Sequence, residues 1–166
     1  MTAQIAEILL YEGAKVSMCT EPLNDYFLLS GNYPRFESNS SALWRGYIGG
    51  WEINERRLYL VELEGVLEDG TDVTLGTLFP DFPERVFAHW YSGTIRIPQG
   101  KQLRYVHMGY GSTFEQDLFL EVDHGIVTST RVRHNGISGS ENAPNSYGVG
   151  AMTVFPRRRK RDEDTE

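Results

Sequence analysis

The side chains best suited to recognition chemistry crowd into two stretches. Trp44, Arg45, Tyr47 and Trp51 occupy the first; His89, Trp90, Tyr91, Arg96, His107 and Tyr110 occupy the second. A guanidinium grips carboxylate or phosphate through paired N–H groups and stacks on ring faces. Arg beside Trp, Tyr and His therefore suits an anionic or planar ligand. The candidate ligand-contacting set is Trp44, Arg45, Tyr47, His89, Trp90, Arg96, His107, Tyr110 and Glu115. Glu52 or Glu115 would serve as acid or base there only with a pKa raised by its surroundings. The competing use is packing, in which the rings fill the core and each Arg pairs with an acid on a neighbouring strand.

Other chemistries find little purchase. The four histidines (His89, His107, His124, His134) fall in no HxxxH or HExxH spacing, and one cysteine excludes zinc sites built from Cys pairs. No metal and no cofactor is expected. Gly109-Tyr110-Gly111-Ser112-Thr113 lacks the Lys of a phosphate-binding loop and the third Gly of a dinucleotide fingerprint. No G-x-S-x-G elbow occurs. Cys19, with no basic neighbour nearer than Lys15, reads as a structural thiol.

The order of motifs is itself informative. Trp44-Arg45-Gly46-Tyr47, Trp51-Glu52-Ile53 and Leu58-Tyr59-Leu60 are followed by Val86-Phe87-Ala88, Trp90, Gly93, Arg96-Ile97-Pro98 and Tyr105-Val106-His107-Met108-Gly109-Tyr110. This order resembles a family of small uncharacterised bacterial proteins over roughly residues 5–134. The resemblance implies a bacterial, cytoplasmic origin and carries no activity, cofactor or catalytic residue with it.

The elements that must position these residues are strands. Turn signals separate β-rich runs at Asn54-Glu55, Glu68-Asp69-Gly70, Pro98-Gln99-Gly100 and Asp123-His124-Gly125, and a further hairpin is expected across Gly13. Leu118, Leu120 and Val122 alternate with Asp117, Phe119 and Glu121, the period of a half-buried strand. Thr71–Leu78 and Gln102–Met108 are expected as strands after their turns. Helix is expected only over Glu21–Leu29 and Asp81–Tyr91, each with a proline near its start. Neither suits a βαβ crossover, so a parallel sheet is not expected. The fold class predicted is all-β: an antiparallel sandwich or partly closed barrel of consecutive hairpins over residues 1–134.

Beyond residue 134 the composition changes. Residues 135–150 are rich in Gly, Ser and Asn, Ala151–Phe155 is a short apolar piece, and RRRKR then DEDTE close the chain. Residues 135–166 read as a flexible linker and charged disordered tail. The net charge is -7, and residues 1–156 hold 11 basic against 19 acidic side chains. An acidic body repels phosphate backbones, which argues against nucleic acid. A single cysteine suits a reducing compartment, the N-terminus lacks a signal-peptide pattern, and no apolar run reaches a membrane span.

The leading expectation is a non-catalytic binding module, accessory, regulatory or immunity-type, for a protein partner or a small anionic or planar ligand. The alternatives are a small β-barrel enzyme using His89, His107 and Glu115 for acid–base chemistry, and a phage or structural homo-oligomeric component. For the tail, truncation after Gly136 is expected to leave the melting temperature nearly unchanged; a loss of cooperative unfolding would show that the removed residues complete the fold.

Overall fold

The computed structural model describes residues 2–136. The apolar piece at 151–155 and the charged tail lie outside the described residues. Among the described residues, two short helices accompany nine strands in one mixed sheet that does not close. The chain opens with a hairpin, β1 (Glu7–Tyr11) and β2 (Ala14–Met18). Its turn places Glu12 (φ 50°) and Gly13 (φ 81°) in the left-handed region, the geometry that matches the strands' twist. Helix α1 (Pro22–Ser30) follows, with proline in its first turn and Gly31 (φ 69°) ending it.

Strands β3 (Tyr47–Asn54) and β4 (Arg57–Val66) form the next hairpin. Both its turn residues, Glu55 (φ 50°) and Arg56 (φ 66°), are left-handed without being glycine. Arg56 offsets that cost by donating from Nε (3.0 Å) and Nη2 (2.8 Å) to the Val127 carbonyl. The short strands β5 (Asp72–Val73) and β6 (Val86–Phe87) both pair with β4, with the short helix α2 (Leu75–Leu78) between them. A meander of β7 (Gly93–Arg104), β8 (Thr113–Asp123) and β9 (Ile126–His134) completes the sheet, with His124 (φ 47°) and Gly125 (φ 82°) in the β8–β9 turn.

The strand order is β2-β1-β3-β4-β9-β8-β7. Its two halves join narrowly: β4 meets β9 at the single register pair Arg57–Ile126. At the opposite seam the Cys19 amide donates to the Arg96 carbonyl (2.9 Å), and the ladder goes no further. Arg96 directs its own N–H to the Thr20 hydroxyl (3.1 Å), so Pro98, two residues on, has its missing donor on the same edge. The β2–β7 seam therefore opens at Pro98. Between the halves lies the core, where Leu9, Met18, Trp51, Leu58 and Leu60 face Ile95, Ile97 and Leu120, all buried. Leu23 and Phe27 of α1 extend it into an aromatic cluster with Phe36 and Tyr47. No helix among the described residues is long and apolar enough to cross a membrane.

Five expectations are corrected. β1 and β3 run parallel (Leu9 opposite Trp51), because the long connection through α1 returns the chain to the same end of the sheet. Pro98-Gln99-Gly100 is no turn: β7 runs through it, and Gly100 (φ 79°) absorbs a register shift against β8. Asp81–Tyr91 is not helical. Pro83 disfavours helix at Phe82, and Val86 and Ala88 are buried while Phe87 and His89 turn outward, a strand's alternation. Thr71–Leu78 divides into β5 and α2, since Thr74 and Thr77 cap one another reciprocally and start a helical turn. Asn135, placed by composition in the linker, is fully buried: its amide donates to the Glu115 carbonyl (2.8 Å).

Gly125 locks the two halves. Its carbonyl accepts from the Leu58 amide and its N–H donates to the Tyr91 carbonyl, both at 2.8 Å. A Cβ there would lie 2.7 Å from the Ala88 carbonyl oxygen, whereas one at Gly13 (φ 81°) would meet nothing within 4 Å. Gly13→Ala should cost about 1–2 kcal/mol, the left-handed penalty alone, and Gly125→Ala clearly more. Equal losses in urea denaturation would refute the locking role.

Candidate functional site

Strand alternation decides the first feature. Glu7 shares the inward phase of β1 with Leu9, so a carboxylate enters the core and must find partners there. Arg45 Nε donates to Glu7 Oε1 (2.7 Å) and Trp51 Nε1 to Oε2 (2.9 Å). Only glycine fits at position 49, where a Cβ would lie 2.1 Å from Glu7 Oε2. Arg45 Nη1 donates to the Ile5 carbonyl (2.8 Å) and lies 3.9 Å from Glu21 Oε2. Its Nη2 is buried without a hydrogen-bond partner among the described residues. Burial pushes the Glu7 carboxyl up to about 7, although Arg45 and the Trp51 indole both act to lower it.

The network continues into α1 and the loop after β7. Tyr110 donates from its hydroxyl to Glu21 Oε2 (2.6 Å), and Asn24 Nδ2 donates to Glu21 Oε1 (2.9 Å). Tyr47 and Tyr33 both donate to Asn24 Oδ1, at 2.8 and 2.7 Å. Burial raises the Tyr47 and Tyr110 hydroxyls well above the ordinary phenol range.

A second cluster centres on Asp117, fully buried on the outer side of β8. It accepts from Arg96 Nε (2.8 Å), Arg133 Nη2 (2.7 Å) and Asn135 Nδ2 (3.0 Å). Burial acts to raise this carboxyl, and the three hydrogen bonds outweigh it, holding Asp117 below the usual range. Arg96 also donates to the Tyr110 and Ser112 carbonyls, fixing the loop between β7 and β8. Beside it, Phe119 is covered by the guanidinium groups of Arg131 (4.3 Å) and Arg133 (5.0 Å).

These clusters carry one end of the molecule. The Gln4 amide donates to the Gly109 carbonyl (2.8 Å), Gln4 Oε1 accepts from the Trp44 amide (2.9 Å), and the Ile5 amide donates to the Ala42 carbonyl (2.8 Å). Residues 2–6, 38–46 and 105–112 are thus tied together. They expose Ile5, Trp44 (53%), Tyr105 and Met108 (60%). Beneath the loop, at the open β2–β7 seam, lies a cleft of about 450 Å³ lined by Ala6, Ser17, Cys19, Arg96, Tyr105 and Tyr110, among others. Burial pushes the Cys19 thiol up to about 11, so at neutral pH it is a protonated thiol and a poor nucleophile.

The structure brings together part of the candidate set. Arg45, Tyr47, Tyr110 and Arg96 belong to the two linked networks; Trp44 stands at the rim. His107 is exposed in the same loop with its ring against Tyr105 (4.5 Å). The Glu115 carboxylate accepts from the Lys101 amide (2.6 Å). His89 and Trp90 lie elsewhere: Trp90 packs on Tyr26 and Phe79 and donates to the Pro22 carbonyl (2.9 Å), and the His89 ring touches Phe87 and Trp90. Sequence reasoning missed Glu7, Glu21, Asp117 and Asn135. For Glu7 a signal existed, an acid in phase with Leu9. No group of His, Cys, Asp and Glu that could hold a metal ion occurs among the described residues. No family model matches the chain, and no curated protein or solved structure matches it either.

The geometry makes Arg45 and Arg96 structural cations. Arg45→Ala and Arg96→Ala should each lose about 3–5 kcal/mol in denaturant titrations, the cost of stranding a buried charge; losses below about 1 kcal/mol would refute this. Glu7 supplies a pH test. Because its folded pKa of about 7 exceeds its ordinary 4.5, its contribution is complete below pH 4.5 and is lost as pH rises through 7. Glu7→Gln should remove that decline, and an unaltered pH profile would contradict the assignment.

Proposed function

We propose that this protein is a non-catalytic binding module of a bacterial cytoplasm that engages a protein partner through residues 2–6, 38–46 and 105–112. The supporting observation is the composition of that end. It presents Trp44, Met108, Tyr105 and Ile5 to solvent, and its only formally charged side chain, Arg45, is buried. In a chain that is 23% charged, such depletion with exposed aromatic and Met side chains is the signature of an interface centre. Hydrogen bonds hold these segments in place, so binding would cost little ordering entropy. The motif resemblance supports the bacterial origin, and the single cysteine supports the reducing compartment.

The enzyme alternative gains little from the same geometry. Glu7 is enclosed, Cys19 stays protonated, and His89, His107 and Glu115 each have separate surroundings.

Immobilised wild-type protein and its Trp44→Ala and Met108→Ser variants, exposed to extract of the source organism, provide the test. A protein retained by the wild type should be lost about 30-fold with either variant, the effect of a hot spot of about 2 kcal/mol, while melting temperatures stay unchanged. Retention indifferent to both substitutions would overturn the reading. So would concentration-dependent self-association abolished by them, which would make the partner a second copy.

A further inference from the structure

The geometry points to a proton-controlled device beneath the recognition end, in which Arg45 exchanges its carboxylate partner from Glu7 to Glu21 and thereby loosens the 105–112 loop. Regulation of the proposed binding surface is the consequence, and to that extent the inference rests on that reading.

Arg45 stands between two carboxylates, Glu7 Oε1 at 2.7 Å and Glu21 Oε2 at 3.9 Å, and its Nη2 donor is unused among the described residues. The groups facing this guanidinium come from several elements. Glu7 lies on β1, Trp51 and Tyr47 on β3, Glu21 immediately before α1 and Tyr33 shortly after it, and Tyr110 in the loop. Protonation of Glu7 on its own would strand a buried cation, which is prohibitive without a second anion. Glu21 supplies that anion, and burial already places Glu7 where it takes up a proton near neutrality.

The exchange reaches the surface through shared acceptors. Glu21 Oε2, toward which Arg45 would turn, is the oxygen that receives the Tyr110 hydroxyl. The Ile5 carbonyl, which Arg45 Nη1 would leave, is also approached by Tyr110 (3.4 Å). Arg45 moving toward Glu21 competes with Tyr110 for its anchor and relaxes the hold on Ile5. Trp44 is the preceding residue, and Gly109 is bonded to Gln4 beside Ile5, so the rim of the surface shifts with it.

Nuclear magnetic resonance of the full chain can read each link without any partner. His107→Asn serves as background, so that the loop carries no imidazole. The Trp51 indole N–H reports Glu7 directly, and the Gly109 and Gly111 amides report the loop. All three should titrate with one midpoint, about 7. Glu7→Gln should abolish the three titrations together. Glu21→Gln should move the Trp51 midpoint downward, because protonated Glu7 then leaves Arg45 without an anion, and should uncouple the glycine amides from it. Titration of Trp51 with unmoved glycine amides would overturn the device, as would an indole signal that is flat between about pH 5 and pH 9. Failure of either kind is separate from failure to bind a partner, which this measurement does not involve.

Discussion

A carboxylate buried in the first strand sets the terms for the rest of this molecule. Glu7 enters the core because β1 alternates, and three features follow from accommodating it. Arg45 must sit against it, Trp51 must aim its indole N–H at it, and position 49 must lack a side chain. Arg45 in turn holds the Ile5 carbonyl, and so ties the segment before β1 to the entry of β3. Those two elements form the parallel pair of the sheet. Removing one partner of such a pair is costly, since the other remains charged in a medium that cannot solvate it.

Asp117 performs a comparable task for the other half. Arg96, Arg133 and Asn135 converge on it, and the guanidinium groups of Arg131 and Arg133 cover Phe119 where a second layer of structure would otherwise be needed. Arg96 carries the connection onward to the loop after β7, and Tyr110 meets the first network at Glu21. The cations that composition marks as ligand-grasping are thus engaged in holding a surface. What they hold out to solvent includes Ile5, Trp44, Tyr105 and Met108 and carries no Asp, Glu, Lys or exposed Arg. That division of labour explains how an acidic chain can keep an uncharged patch in fixed shape.

Much of the fold was legible in the sequence. Period-two alternation located β8, and turn residues marked four hairpins, at Gly13, Asn54-Glu55, Glu68-Asp69-Gly70 and Asp123-His124-Gly125. The errors have a common source, namely local signals overruled by context. Pro98 and Gly100 read as a turn because both punctuate strands. At the edge facing the open seam, however, a missing donor breaks nothing, and a glycine bulge lets β7 continue. The parallel pairing of β1 with β3 depends on where a long connection returns, which no window of neighbours records. At the site, Arg45, Tyr47, Arg96 and Tyr110 were found from residue type, but their roles were not, because the side chains that claim them lie 21 to 89 residues away in sequence. His89 was grouped with them by residue type alone, whereas its ring lies apart from them, against Phe87 and Trp90.

The account turns on the interdependence of Glu7 and Arg45, and a double-mutant cycle of Glu7→Gln and Arg45→Met by urea denaturation at about pH 8 measures it. Arg45→Met alone should be strongly destabilising because it strands the ionised Glu7, and adding Glu7→Gln should recover much of that loss, giving a coupling of about 2–3 kcal/mol. Additivity within about 0.5 kcal/mol would show two independent side chains and contradict the account.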